Sequence, residues 1–272
     1  MPAVPAHSIK PGGQRTLSWV TLALLRGMFL ALASAGAFWS LSVIPGEREA
    51  APLNRLANRI LAGRTPTLEA LAPTLAYLDR SDSPRGCSSP ALRPIATIRL
   101  YAAALAHSTA ADESAKLLLQ KARRDIHAFL RCAPHQSFYW YALFWVEMAL
   151  GGDSHDHLPL LEFSYRLGPH EGWISAYRCR DALPYYEMVN PPTQKHIREE
   201  YLSLVRENAG EAAAILRLGD AEIRSRVLEF ITVLPLEIRE SFARRLDSLN
   251  IEVDVPGVDY EALYSRPNLP KL

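Results

Sequence analysis

What the 272-residue sequence lacks narrows its function before any motif is considered. It has three cysteines, Cys87, Cys132 and Cys179. These are too few for a disulfide-built scaffold and lack the paired spacing of a zinc site. Excess charge is also missing: thirty Lys and Arg stand against twenty-nine Asp and Glu, which argues against a nucleic-acid binder needing a basic face for phosphates. No Gly-x-Ser-x-Gly elbow, Walker loop, Gly-x-Gly-x-x-Gly or His-Glu-x-x-His occurs, so no cofactor is implied and no motif-bearing enzyme class is indicated. Convincing period-two alternation is absent, and strands are not expected. After Ile44 no comparable apolar run returns, which limits the chain to a single membrane span.

That one span is the most informative stretch present. Gly27 to Ile44 carries no charge, and as a helix it is about 27 Å long, close to the thickness of a bilayer's hydrocarbon core. Apolar character begins at Leu17 and is broken only by Arg26, whose guanidinium can snorkel to the headgroups. Trp19 and Trp39 fall near the two ends, where amphipathic rings favour the interface. We therefore read residues 1–16 as a basic cytoplasmic tail and 17–44 as a transmembrane anchor. A cleavable signal peptide is the competing reading, with small-residue sites at Ala33-Ser34-Ala35 and Ala35-Gly36-Ala37. The apolar run continues past both sites through Phe38, Trp39, Leu41, Val43 and Ile44, which favours an uncleaved anchor. No acidic residue precedes Glu47, and Lys10, Arg15 and Arg26 point to a cytoplasmic N-terminus. Arg48, Arg55, Arg59 and Arg64 pull the other way, but a long domain translocates despite its charge. Gly27, Ala31 and Ala35 repeat at four-residue spacing, either as a packing face for another membrane helix or as part of an ordinary Ala-rich span.

The remaining body has the composition of a folded chain, with 49% hydrophobic and 22% charged residues overall. Its segments read at helical period, giving an all-α fold: one N-terminal transmembrane helix followed by a soluble domain of helical hairpins. Residues 45–93 hold a linker and the first helices. One runs over about 51–62 and stops at Gly63, where a left-handed cap is favoured. Another opens at Thr67 and is interrupted or kinked near Pro73. Hairpins occupy 94–190, with helices over about 94–108 and 112–131, the latter capped by Asp112, and a third over 138–150, apolar around most of its circumference. Further helices fill 191–250, and 251–272 reads as an irregular tail. Cys87 precedes the first helix of the 94–131 hairpin and Cys132 follows the second. An antiparallel hairpin brings those ends together, so a Cys87–Cys132 disulfide is within reach in an oxidising compartment. Cys179, inside a predicted helix, is left free.

The piece from Tyr141 to Trp173 resembles a tetratricopeptide repeat. Tyr141, Phe144 and Met148 match its bulky positions, and Leu161, Ser164 and Pro169 match its large, small and terminal proline positions. Trp145 and His157 depart from it where small residues are usual. The resemblance implies stacked helical hairpins with a concave binding face. The run SYRLGPHEGWISAYR, Ser164 to Arg178, also resembles small anchored envelope proteins of Gram-negative bacteria associated with exopolysaccharide or O-antigen assembly. That implies an inner-membrane protein with its body in the periplasm, and a protein partner at the membrane such as a polysaccharide polymerase or ligase. It carries no catalytic residue across.

Chemistry is sparse. Asp153-Ser154-His155-Asp156-His157 offers two histidines but no third converging ligand, and reads as a turn with Asp156 capping the next helix. Glu171, after His170, sits at a helix start where the dipole explains it. Glu147, alone on an apolar helix, is either an acid of raised pKa or a carboxylate satisfied by an arginine from a neighbouring helix. A helical envelope hydrolase or transferase would use Glu147 or Glu171; a non-enzymatic scaffold would not. Ile197-Arg198-Glu199-Glu200 and Arg239, Glu240, Arg244 and Arg245 read as solvated helix faces. Tyr141, Trp145 and Trp173 are the candidate partner surface. Trp173, near Pro169 at the corner between hairpins, is expected to be mostly buried, so that Trp173→Ala would cost about 3–5 kcal/mol.

Overall fold

The computed structural model describes residues 19–80, 87, 90–109, 113–169 and 171–265. The basic tail with Lys10 and Arg15, Asp112 and His170 lie outside the described residues. Among the described residues the chain is all-helical: twelve α-helices, one 3-10 turn and no strand. Two compact units divide it, one through Pro52 and one from Leu53 onward.

Helix α1 (Trp19–Leu61) is continuous, where the sequence had suggested an anchor ending at Ile44 and a separate helix. Proline φ is compatible with a helix, so Pro45 removes one backbone hydrogen bond without ending the run. Within α1, Thr21–Leu41 is long and apolar enough to cross a membrane. The helix stops where Gly63 takes φ +78°. Gly63 N–H donates to the Ile60 carbonyl and Arg64 N–H to that of Arg59, each at 3.0 Å, the paired bonding of a Schellman cap.

In the second unit, α2 (Leu68–Arg80) also runs unbroken through its internal Pro73. Then come α3 (Leu92–Thr109), α4 (Glu113–Leu130), α5 (Ser137–Ala149), α6 (Ser154–Leu167) and α7 (Gly172–Ala182), followed by a 3-10 turn at Leu183–Tyr185. Helices α8 (Pro191–Glu207), α9 (Ala209–Leu218), α10 (Ala221–Ile231) and α11 (Leu236–Ser248) complete the body. The tail is more ordered than its prolines suggested. A short α12 (Tyr260–Ser265) forms there, and Val255 and Leu263 are buried against the main core; apolar anchors at both ends of the segment hold it down.

Packing is serial: α3 packs on α4, α4 on α5, α5 on α6, α7 on α8 and α8 on α9. The core follows the same order. Leu71, Leu75 and Ile98 form one cluster, Leu119, Ile126 and Leu143 a second, and Phe144, Tyr165, Tyr201 and Phe230 belong to a third. Near the starts of α3 and α5, Thr97 Oγ1 and Tyr139 OH share a 2.7 Å hydrogen bond. At the starts of α5 and α7, the Phe138 and Trp173 rings lie 4.8 Å apart. His107, near the end of α3, is edge-on to Trp145, later in α5, so α3 and α5 run in the same direction; α7 packs directly on α5. Cys87 and Cys132 are disulfide-bonded, with Cα atoms 5.0 Å apart, and Cys179 is free and buried.

Two buried ionic clusters cross these layers. Arg99, 1% exposed, donates to Asp79 Oδ1 at 2.7 Å and Asp125 Oδ2 at 3.2 Å, joining α2, α3 and α4. Arg178 is fully buried on α7 and reaches Glu200 Oε1 on α8 at 2.6 Å. Tyr165 OH on α6 donates to Glu200 Oε2 at 2.6 Å, and the Arg178 guanidinium lies 4.1 Å over the Tyr165 ring. Burial alone would push the Arg178 guanidinium down; Glu200 holds it above its ordinary value. Glu200 is thus a core residue and not part of a solvated face, because an arginine two turns into α7 is aimed at it. Breaking one member leaves an uncompensated buried charge. Arg178→Met should cost about 3–5 kcal/mol in urea unfolding, and restoring neutrality with Glu200→Gln in the same chain should recover a measurable part of it.

Candidate functional site

Helix α5 supplies the centre of the site. Its apolar circumference packs on α4 and α6, and its remaining face turns toward α3 and α7. There Tyr141, Trp145 and Trp173 line one groove of about 560 Å³, together with Leu100, Tyr101 and Tyr177. Every helix contributing to it is odd-numbered: the end of α1, α3, α5 and α7.

The three candidate residues hold different positions within it. Tyr141 is 7% exposed and its OH donates to Asp181 Oδ2 at 2.7 Å. Burial first, then the Asp181 carboxylate, push its phenol far above the ordinary tyrosine value, so it stays a neutral donor. Trp145 is half-buried, with its ring edge-on to His107 at 5.9 Å between centroids. Trp173 is 57% exposed, contrary to the buried corner expected from the sequence. Glu171 stands at the N-cap of α7, so Trp173 lies in the helix's first turn, with the Phe138 ring tilted against it. Next to it on the same helix face, four residues on, Tyr177 is 59% exposed. The same two rings also line a second cleft of about 700 Å³, formed with residues of α8 and the start of α9. Sequence reasoning missed Tyr177; its i, i+4 spacing from Trp173 on a helix of otherwise mixed polarity was the available signal.

The candidate acids lie elsewhere. Glu147 pairs with Arg123 of α4 at 3.4 Å and approaches His127 at 4.0 Å, a carboxylate satisfied by a neighbouring helix. Neither it nor Glu171 lines the groove. Both oxygens of Glu200 are taken by Arg178 and Tyr165. At the His155 turn the helix begins four residues earlier than its apolar pattern suggests, and Asp153 caps it, accepting from His155 N–H at 2.9 Å; Asp156 sits inside the first turn. A Cβ on Gly152 would fall 2.5 Å from the His157 ring, so that histidine is packed against backbone. Among the described residues no group of three or more His, Cys, Asp or Glu is placed to hold a metal ion. No protein-family model, curated protein or solved structure matches the chain.

The two site aromatics should respond differently to truncation. Trp173→Ala is expected to lower unfolding free energy by only about 1 kcal/mol, the worth of one exposed aromatic contact. Tyr141→Ala should cost about 3–5 kcal/mol, as for other large buried aromatics. Urea unfolding of both variants checks this, and equal losses would contradict the exposure of Trp173.

Proposed function

We propose that the protein is a membrane-anchored scaffold that holds a segment of a protein partner in the groove before Trp145 and Trp173. The observation that carries this reading is the convergence of exposed and half-exposed aromatic side chains on one groove, which neither Glu147 nor Glu171 lines. Aromatic anchors with one covered face are what a partner's apolar side chains pack against. The helical hairpins are read as tetratricopeptide-like, supported by parallel α3 and α5, by α7 packed on α5 and by the residue pattern from Tyr141 to Trp173. The 17–44 segment anchors the body, the 1–16 tail stays in the cytoplasm, and the body faces the periplasm of a bacterial inner membrane. The role is accessory to exopolysaccharide or O-antigen assembly, with a polymerase or ligase as the partner class. That rests on the resemblance of Ser164–Arg178.

Placing a photo-crosslinking amino acid at Trp173 of the full-length protein in its native membrane should yield one discrete partner band. The same group at Leu117, exposed on α4, should yield none. Equal bands from both positions, or none from Trp173, would overturn the scaffold reading. For orientation, alkaline phosphatase fused after Leu272 should be active. An inactive phosphatase beside a fluorescent cytoplasmic reporter at the same point would reverse the topology.

A further inference from the structure

Trp173 and Tyr177 form a ridge between two clefts of unlike character. On one side lies the apolar groove, whose single cation, Arg180, is neutralised by Asp181 at 2.8 Å. On the other lies the cleft lined by Glu200, Glu207 and Glu211, with Ser203 and Asn208 and no lysine or arginine. Glu200 is spent on Arg178. Glu207 and Glu211 are exposed, at the end of α8 and in the first turn of α9 on either side of the non-helical Asn208, and neither has an ion-pair partner within 4.0 Å among the described residues. Arg245 is the cation set beside them, its guanidinium against Gly210, which leaves the two glutamates in excess. The Arg180 guanidinium already lies 5.6 Å over the Tyr177 ring, and Trp173, more than half exposed, offers open ring surface to a further cation. A bound chain crossing the ridge would thus pass from an apolar, charge-balanced surface to one of net negative charge.

We infer that the partner segment is bipartite: apolar side chains that fill the groove beside Trp145, followed within a few residues by a lysine or arginine that crosses Trp173 and Tyr177 to meet Glu207 and Glu211. This rests on the scaffold reading and adds the chemistry of the ligand to it. Charge complementarity fixes the order of the two parts along the surface, because only the α8–α9 side repels an acidic segment and attracts a basic one. A purely apolar segment would leave the two glutamates unmatched, and a purely basic one would leave the groove empty.

The test pans the full-length protein in nanodiscs against a phage-displayed random dodecapeptide library, with empty nanodiscs subtracted. Peptides enriched on the protein should carry a basic residue next to an apolar cluster. Binding of those peptides should fall at least about tenfold in Glu207→Gln/Glu211→Gln and fall again as salt shortens the screening length. It should also fall in Trp145→Ala and in Ala104→Gln, which fills the groove without opening a cavity. Three outcomes overturn the inference. Enriched peptides with no basic preference, insensitive to the glutamate pair but lost in Ala104→Gln, reject the bipartite ligand and leave the scaffold reading standing. Basic peptides that ignore Trp145→Ala and Ala104→Gln reject the apolar half. No enrichment over empty nanodiscs removes both the inference and the reading beneath it.

Discussion

The body of this protein is organised around a charge that cannot be left alone. Arg178 is fully buried, and a buried guanidinium is tolerable only when its donors are matched. Glu200 matches it from α8, Tyr165 closes the far carboxylate oxygen from α6, and Ser164 takes a further donor at 3.3 Å. Three helices are therefore registered against one another by a single polar knot. Hydrophobic packing alone would allow α7 to slide along its neighbours, since α6 and α7 share few direct contacts. The knot fixes the rotation of α7, and with it the face that carries Trp173 and Tyr177 outward. The groove and the acidic cleft thus inherit their relation from an interaction that lies behind the groove and reaches the cleft only through Glu200. The Arg99 cluster performs the same service for α2, α3 and α4, on the other flank of the groove.

Much of this was legible in the sequence because helices announce themselves by period. The stripes of α3 and α4 gave both helices to within two residues, and Gly63 marked the end of α1 through its left-handed conformation. Hairpin geometry pointed to the Cys87–Cys132 pair, and the aromatic density of α5 pointed to the place where the groove lies. What failed did so for local reasons. The anchor was ended at Ile44 because the apolar run stops there, and α2 was read as interrupted or kinked near Pro73; both helices run through, since helical φ is open to proline and packing offsets the lost hydrogen bond. Charged runs such as Arg198-Glu199-Glu200 look solvated in one dimension; only the approach of Arg178 from another helix reveals that Glu200 points inward. Trp173 was judged by size, whereas its exposure follows from its place in the first turn of α7. Asp153 and Asp156 are equally good caps by residue type, and the choice between them depended on where α6 began.

The serial packing of the body has a consequence for how it comes to be folded. The most extensive helix contacts join neighbours in the chain, and α5–α7, α6–α8, α7–α9, α8–α10, α9–α11 and α8–α11 reach only two or three helices along, so loop-closure costs are modest at each step and the topology is rich in local contacts. During synthesis each hairpin can close once its second helix has emerged, without waiting for the C-terminus. The Arg178–Glu200–Tyr165 knot is an exception in kind. Its three members arrive over 35 residues of chain, and until α8 is complete the guanidinium has no carboxylate to face. An incomplete chain ending between α7 and α8 would hold an unmatched cation in its forming core, which makes that interval the one where the nascent protein most needs the next helix.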